Sequence, residues 1–419
     1  MKLFTRVQLS TMFFLEFFIW GGWFVTLGTY LLKNLDATGA ETGMAFSTQS
    51  WGAIIAPFII GFIADKYFNA ERILGVLHLI GAVLMYQMAT SPDFTTFYPY
   101  VLGYMIAFMP TLALVNSVAF RQINDPAKDF AWIRVFGTIG WIVAGALISY
   151  VFFWDSEAGV KNGLLRNTFY MTAIASAVLG IYSFFLPKTP PNKDTKSTSL
   201  AEKTGLSAIS ILKDKNFLIF FVASILISIP LAFYYQNTNP FLSEIGVGQP
   251  TGLMAIGQVS EVLFMLLLPV FLLRFGIKKT LLLGMIAWAV RYLLFAYGNS
   301  DELTFMLIIG IALHGVCYDF FFVSGQIYTD SKAKASNKSA AQGLITLATY
   351  GLGMLIGFWV AGKMTDMFSK TVTLADGGTE VTHVWEMIWI YPAGFALLVF
   401  LFFLFTFKSE KIEYKGEKV

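Results

Sequence analysis

Apolar runs of about 20 residues recur along the whole chain, and that pattern restricts the fold more than any other feature. In lipid every backbone N–H and C=O must be satisfied inside its own segment or by a neighbouring strand, so runs of this length read as membrane-crossing helices. Composition agrees: 56% of the 419 residues are hydrophobic and only 13% are charged, against about 25% charged in a soluble domain. The expected fold is an all-α membrane protein of twelve transmembrane helices. Their limits are approximately 9–32, 43–64, 72–90, 97–120, 132–154, 166–186, 217–241, 252–273, 280–298, 303–328, 340–364 and 384–407. The opening stretch "MKLFTRVQLSTMFFLEFFIWGGWFVTLGTYLL" has too long an apolar run for a signal-peptide core, and no small-residue cleavage site follows it. It reads as the first span, retained.

The longest hydrophilic stretch, "PKTPPNKDTKSTSLAEKTGLSAISILKDKN" at 187–216, is rich in Pro, Lys, Ser and Thr and falls near the middle. It reads as a linker between six-helix halves at 1–186 and 217–407, with a tail at 408–419. Its end, "LSAISILKDK", suits a short amphipathic helix on the membrane surface. Basic residues outside the spans fall unevenly, roughly 22 on the side of the linker and both termini against roughly 5 on the other, which places those segments in the cytoplasm. Two stretches half a chain apart, "APFIIGFIADKYFNAERIL" and "LLPVFLLRFGIKKTLL", share one plan: a helix with a proline, a basic turn, another helix. Two such halves resemble the architecture of the major facilitator superfamily. Gly61, Asp65, Lys66 and Arg72 resemble a worn form of its loop motif.

Net charge is only +3, so no nucleic-acid partner is expected, and the single cysteine, Cys317, excludes an internal disulfide or CxxC chemistry. No HExxH, DDxxD or nucleophile-elbow pattern is present, and the three histidines lie far apart, so neither an enzyme nor a metal or cofactor site is expected. A repeated half with buried mixed charges also favours alternating access over a continuous pore.

Seven ionisable groups fall well inside the spans: Glu16, His78, Arg134, Glu261, Arg291, His314 and Asp319. A charge at bilayer depth costs about 2.5–3.5 kcal/mol even on the lenient insertion scale, so these faces should turn inward. Helical spacing groups them. Arg134, Thr138 and Trp141 share one face, as do Gln258 and Glu261, and as do Glu16, Trp20 and Trp23. Gly315, Asp319, Phe322 and Gln326 form a stripe on the tenth span, with His314 and Tyr318 beside it. His78, without polar company at helical spacing, reads as structural, and Arg291 as half of a structural ion pair. For Glu16 function and structure stay open. Rings beside buried polar groups are candidates to stack on a solute: Trp20, Trp23, Trp141, Tyr235 and Tyr318. Tyr235 belongs to "YYQNTNPFL", whose amides and proline suggest an interrupted helix. Gly353 and Gly357 form a GxxxG pattern suited to close helix packing. A cavity of carboxylates, an arginine, amides and rings suits a small, flat, polar solute.

The stretches "WGGWFVTLGTYL", "AFMPTLALVNSVAF", "IRVFGTIGW", "QVSEVLF", "RYLLFAYG" and "YDFFFVSGQIY" occur in an order and spacing that resemble the nucleoside:proton symporters of the same superfamily. The resemblance covers nearly the whole chain. It implies uptake of a purine or pyrimidine nucleoside with H+ across the bacterial cytoplasmic (inner) membrane, by a monomer set in the lipid bilayer. It carries sugar- and base-binding roles to Arg134, Thr138, Gln258, Glu261 and Asp319, with an aromatic face at Tyr318. Departures from the family pattern at Ala232, Tyr235, His314 and Glu16 bear on which nucleoside is preferred. Proton-coupling candidates are Asp319, Glu261 and Glu16. The alternative reading is a sugar or oligosaccharide:proton symporter of the same superfamily.

Overall fold

The computed structural model describes residues 2–59, 68–123, 126–190, 206–333, 338–373, 378–411, 413–414 and 417–418. The chain divides into two compact units: Met1–Leu200 with Gly248–Ala255, and Ala201–Val247 with Ile256–Val419. Among the described residues, nine helical stretches are long and apolar enough to cross a membrane. One of them, Pro250–Tyr297, holds 48 residues and breaks at Gly276, whose φ of 75° suits a residue without Cβ. Gly39–Ile59 and Arg166–Ser183 are two further helices of suitable length. These are consistent with the twelve crossings expected.

In the first unit, α1 (Leu3–Phe24) and α2 (Leu27–Asn34) form one span with a turn between them. There follow α3 (Gly39–Ile59), α4 (Ala70–Thr90), α5 (Phe94–Gln122) and α6 (Pro126–Ala146), the last prolonged by a π turn at Leu147–Val151. A short α7 (Glu157–Lys161) precedes α8 (Arg166–Ser183). Helix α1 packs on α6 and α8, α4 on α5 and α8, and α3 on α5. Asp93 caps α5 by accepting the Thr96 N–H at 2.8 Å, a bond that holds its carboxyl below the ordinary range. Residues 248–255 join this unit through a second cap. Asp155 Oδ2 accepts the Thr251 N–H at 2.9 Å, and Ser149 Oγ accepts the Gly252 N–H at 2.7 Å while donating to Asp155 at 2.6 Å.

In the second unit, α9 (Lys215–Glu244) leads to α10 (Pro250–Tyr297, broken at Gly276). The tenth span is segmented into α11 (Thr304–Ala312), α12 (His314–Tyr318), a π turn at Asp319–Val323 and α13 (Ser324–Lys332). The eleventh runs through α14 (Lys338–Thr346), a π turn at Leu347–Gly353 and α15 (Met354–Met367). A hairpin of β1 (Ser369–Thr373) and β2 (Thr379–His383) precedes α16 (Trp385–Thr406). Lys332, at the end of α13, bridges Asp214 at 2.8 Å and Glu410 at 2.7 Å, tying the start of α9 to the chain beyond α16.

Two sequence expectations change. The "YYQNTNPFL" stretch is not an interruption: α9 is continuous through both Pro230 and Pro240. Its amides are buried rather than presented by unwound backbone, and Asn237 Oδ1 accepts the Thr365 hydroxyl of α15 at 3.3 Å. Irregular backbone instead occupies the tenth and eleventh spans. The "LSAISILKDK" segment forms a 3-10 helix at Leu206–Lys213, and Ala208 packs on Ala340, Ala341 and Leu344 of α14. Arg291 has no carboxylate partner among the described residues; its Nη1 meets His314 Nδ1 at 3.1 Å. The glycine pattern behaves as close packing requires: a Cβ on Gly353 would lie 2.6 Å from Ile225 O, and one on Gly357 2.6 Å from Ala232 Cβ, both on α9. Gly61, Asp65 and Lys66 of the loop motif lie outside the described residues.

Candidate functional site

The polar residues of each unit gather on their own framework. In the first unit α1 and α6 touch almost backbone to backbone, since Gly140 leaves room where a Cβ would strike Phe14 O at 2.1 Å. The approach aligns the Arg134, Thr138 and Trp141 face of α6 with aromatic residues of α1. The Arg134 guanidinium lies 5.4 Å from the Phe17 ring centre, and its side chain is exposed to the exterior of the unit. Trp20 meets Trp141 edge-on at 5.7 Å, and both are half-buried, with ring surface left uncovered. Trp23 differs. It is fully buried among Phe24, Tyr104 and Phe169, so its ring serves packing.

Glu16, on the same face as these tryptophans, points into the unit. It is fully buried, with Oε2 2.8 Å from His78 Nε2 of α4 and Oε1 2.5 Å from the Thr111 hydroxyl of α5. His78 thus has polar company after all, 62 residues away in sequence. Helical spacing within α4 could not reveal it.

In the second unit the residues converge on the junction of α11 and α12. The Ser260 hydroxyl donates to Ala312 O at 2.5 Å and accepts the Gly315 N–H at 2.9 Å, pinning the junction to α10 between Gln258 and Glu261. Gly315 permits contact so close that a Cβ would sit 2.5 Å from Ser260 O. The π turn begins at Asp319 and shifts its register relative to the helix before it. Asp319 is fully buried, and neither carboxylate oxygen has a hydrogen-bond partner among the described residues. The Glu261 carboxyl is near enough to act on it electrostatically. Tyr318 and Tyr350 share a hydroxyl–hydroxyl bond at 2.5 Å. His314 stacks on Tyr234 at 5.0 Å, and the Arg291 guanidinium lies over the same Tyr234 ring at 3.5 Å. Since arginine only donates, His314 Nδ1 accepts, and its proton sits on Nε2. Tyr235, Gln258, Glu261 and Tyr318 are half-buried. Tyr234, Ser260 and Tyr350 belong to this cluster, and the sequence reading missed them. Ser260 lies in the quoted "QVSEVLF", between Gln258 and Glu261, but its bond to a broken helix has no local signal.

An orphan buried carboxylate beside a second carboxyl, tyrosines and a histidine is an arrangement that takes a proton, a donor-rich solute, or both. The sequence profile of the family described as Nucleoside H+ symporter matches residues 1–412. The chain belongs to the nucleoside H+ symporter family. This symporter is 42% identical to YegT of Escherichia coli, over 99% of its own length and 96% of that protein's. It is 36% identical to the xanthosine permease of Escherichia coli, over 98% of each chain. Its structure matches the crystal structure of the nucleoside transporter NupG with a TM-score of 0.84 at 30% identity, over 97% of this chain and 100% of that one. The symporter is a multi-pass membrane transporter with the major facilitator fold expected from its spans.

Proposed function

We propose that this symporter takes nucleosides into the cell together with protons by alternating access, with Asp319 as the principal proton carrier and Glu261 as the second. The observation that carries the assignment is the buried Asp319 carboxyl without a hydrogen-bond partner. In lipid such a group is stable only when protonated or when a ligand supplies donors. Ribose hydroxyls are donors of that kind, and a charge-assisted bond to each carboxylate would favour binding by roughly 1.5–3 kcal/mol. Arg134, Thr138, Gln258, Glu261, Tyr318 and Asp319 are the polar contacts of the reading. Trp20, Trp141, Tyr235 and His314 supply ring faces and edges to the base. Trp23, packed among Phe24, Tyr104 and Phe169, would support the Trp20 face from behind. The protein sits as a monomer in the cytoplasmic membrane with both termini and the linker inside, as the distribution of Lys and Arg supports. Inward movement of each proton is then favoured by about 2.3 kcal/mol per 100 mV.

A thermal-shift panel on purified protein tests the substrate class. Nucleosides at 100 times their dissociation constant should stabilise the fold by about 2.7 kcal/mol, while free sugars at equal concentration should not. Stabilisation by sugars and not by any nucleoside would overturn the reading in favour of a sugar symporter.

A further inference from the structure

We propose that Glu16 and His78 form a second proton-binding site, inside the first unit, which adds and releases one proton during transport. The proposal rests on proton-coupled transport but not on Asp319 being its carrier. It follows from counting hydrogens.

The Ser176 hydroxyl lies 2.8 Å from His78 O, and when it donates there its oxygen accepts from His78 Nδ1 at 3.1 Å. In that arrangement His78 Nδ1 carries a hydrogen. Across the ring, Nε2 faces Glu16 Oε2 at 2.8 Å. Without a proton between them, two lone pairs would oppose each other, so one proton lies on that line whichever partner owns it. The pair is then neutral overall, either as imidazolium and carboxylate or as imidazole and carboxylic acid.

The second carboxyl oxygen has a separate outlet. Thr111 Oγ1 lies 2.5 Å from Glu16 Oε1 and 2.5 Å from Phe108 O, with one hydrogen for two acceptors. While the carboxyl is charged, the hydroxyl can donate to Oε1. When Oε1 takes a proton, that O–H donates to Thr111 Oγ1, and the threonine donates to Phe108 O. One bond, Oε1–H, forms, and the charge of the site rises by one. No heavy atom has to move, because every hydrogen bond of both states already has its distance. A pair retained only for stability would not need this, since apolar replacement of a buried ion pair is often neutral or stabilising.

Several other titratable groups on the surrounding helices have partners of their own. Arg134 of α6 lies against Phe17. On α5, the Tyr104 ring stacks on Phe108, one turn from Thr111, and its buried hydroxyl is near enough to Glu16 to interact with it electrostatically. On α8, Tyr170 packs on Tyr86 of α4, and Tyr182 donates to Gln8 O. On α4, Glu71 accepts from Asn69 and from the Thr189 N–H.

Two measurements on the full-length protein test the site. The first is infrared difference spectroscopy while the pH is lowered stepwise. A carbonyl band of a newly protonated buried carboxylic acid should appear, remain in Asp319→Asn, and vanish in Glu16→Gln. Glu16→Gln keeps the hydrogen bonds to His78 and Thr111 and should fold. The second is the H+:nucleoside ratio from reversal of flux in proteoliposomes. The variant Glu16→Gln/His78→Asn should transport with a ratio lower by one than the wild type. Identical spectra for wild type and Glu16→Gln, or an unchanged ratio in the double variant, would overturn the second site. If the double variant does not transport, the infrared band decides. Absence of nucleoside transport by the wild type would count instead against the proposed function.

Discussion

Asp319→Asn is expected to lower proton-driven nucleoside uptake by about 100-fold or more while leaving the melting temperature unchanged or raised. The loss follows from the loss of a charge-assisted bond, roughly 1.5–3 kcal/mol or 10- to 150-fold, compounded by loss of the proton that the gradient drives. The stability half of the prediction is less usual, and it discriminates. A carboxyl kept only for the fold would have partners, and removing it would destabilise. Asp319 has none and is fully buried, so a neutral amide of nearly equal size relieves a cost. Gain of stability with loss of activity marks a residue held in place for function. Uptake and thermal unfolding measured on the same preparation check it. Wild-type uptake, or a clearly lowered melting temperature, would contradict the role given to Asp319.

The second large effect is at Gly315. Its missing Cβ would lie 2.5 Å from Ser260 O, 2.6 Å from Ser260 C and 2.7 Å from Glu261 N, all backbone atoms that cannot turn aside. Gly315→Ala should therefore push α12 away from α10, break the Gly315 N–H bond to Ser260, and separate Glu261 from Asp319 four residues on. Overpacking of this kind costs about 1–3 kcal/mol. Because it acts at the centre of the carboxylate cluster, uptake should fall by at least about tenfold, as a 1.4 kcal/mol misplacement would give. Gly394→Ala is the matched control: nothing lies within 4 Å of its Cβ position, and stability and uptake should both be retained. Equal behaviour of the two variants would show that the close approach at Gly315 does not position the site.

The spans and the main polar residues were legible in the sequence because they obey local rules. Long apolar runs have one reading in lipid, and Gln258 with Glu261, or Arg134 with Thr138 and Trp141, reveal a shared face through helical spacing. What was hidden depended on partners distant in sequence. The amides and Pro240 of α9 look like a helix break, yet helix α15 buries and bonds them, so tertiary packing keeps α9 continuous. The π turns at Asp319 and Leu347 replaced the expected break, and a one-residue register shift leaves no mark in composition. His78 looked solitary because its partners, Glu16 and Ser176, stand on two other helices. Arg291 was expected to face a carboxylate and instead faces His314 and the ring of Tyr234. The charge was readable, but its counterpart was not.

The most direct measurement is uptake of labelled uridine and adenosine by the purified protein in proteoliposomes, with an inward proton gradient imposed or collapsed by a protonophore. The account predicts accumulation above the external concentration only while the gradient stands, with protons entering alongside the nucleoside. Accumulation that is indifferent to the gradient, or no nucleoside uptake in vesicles where the protein is folded, would contradict it.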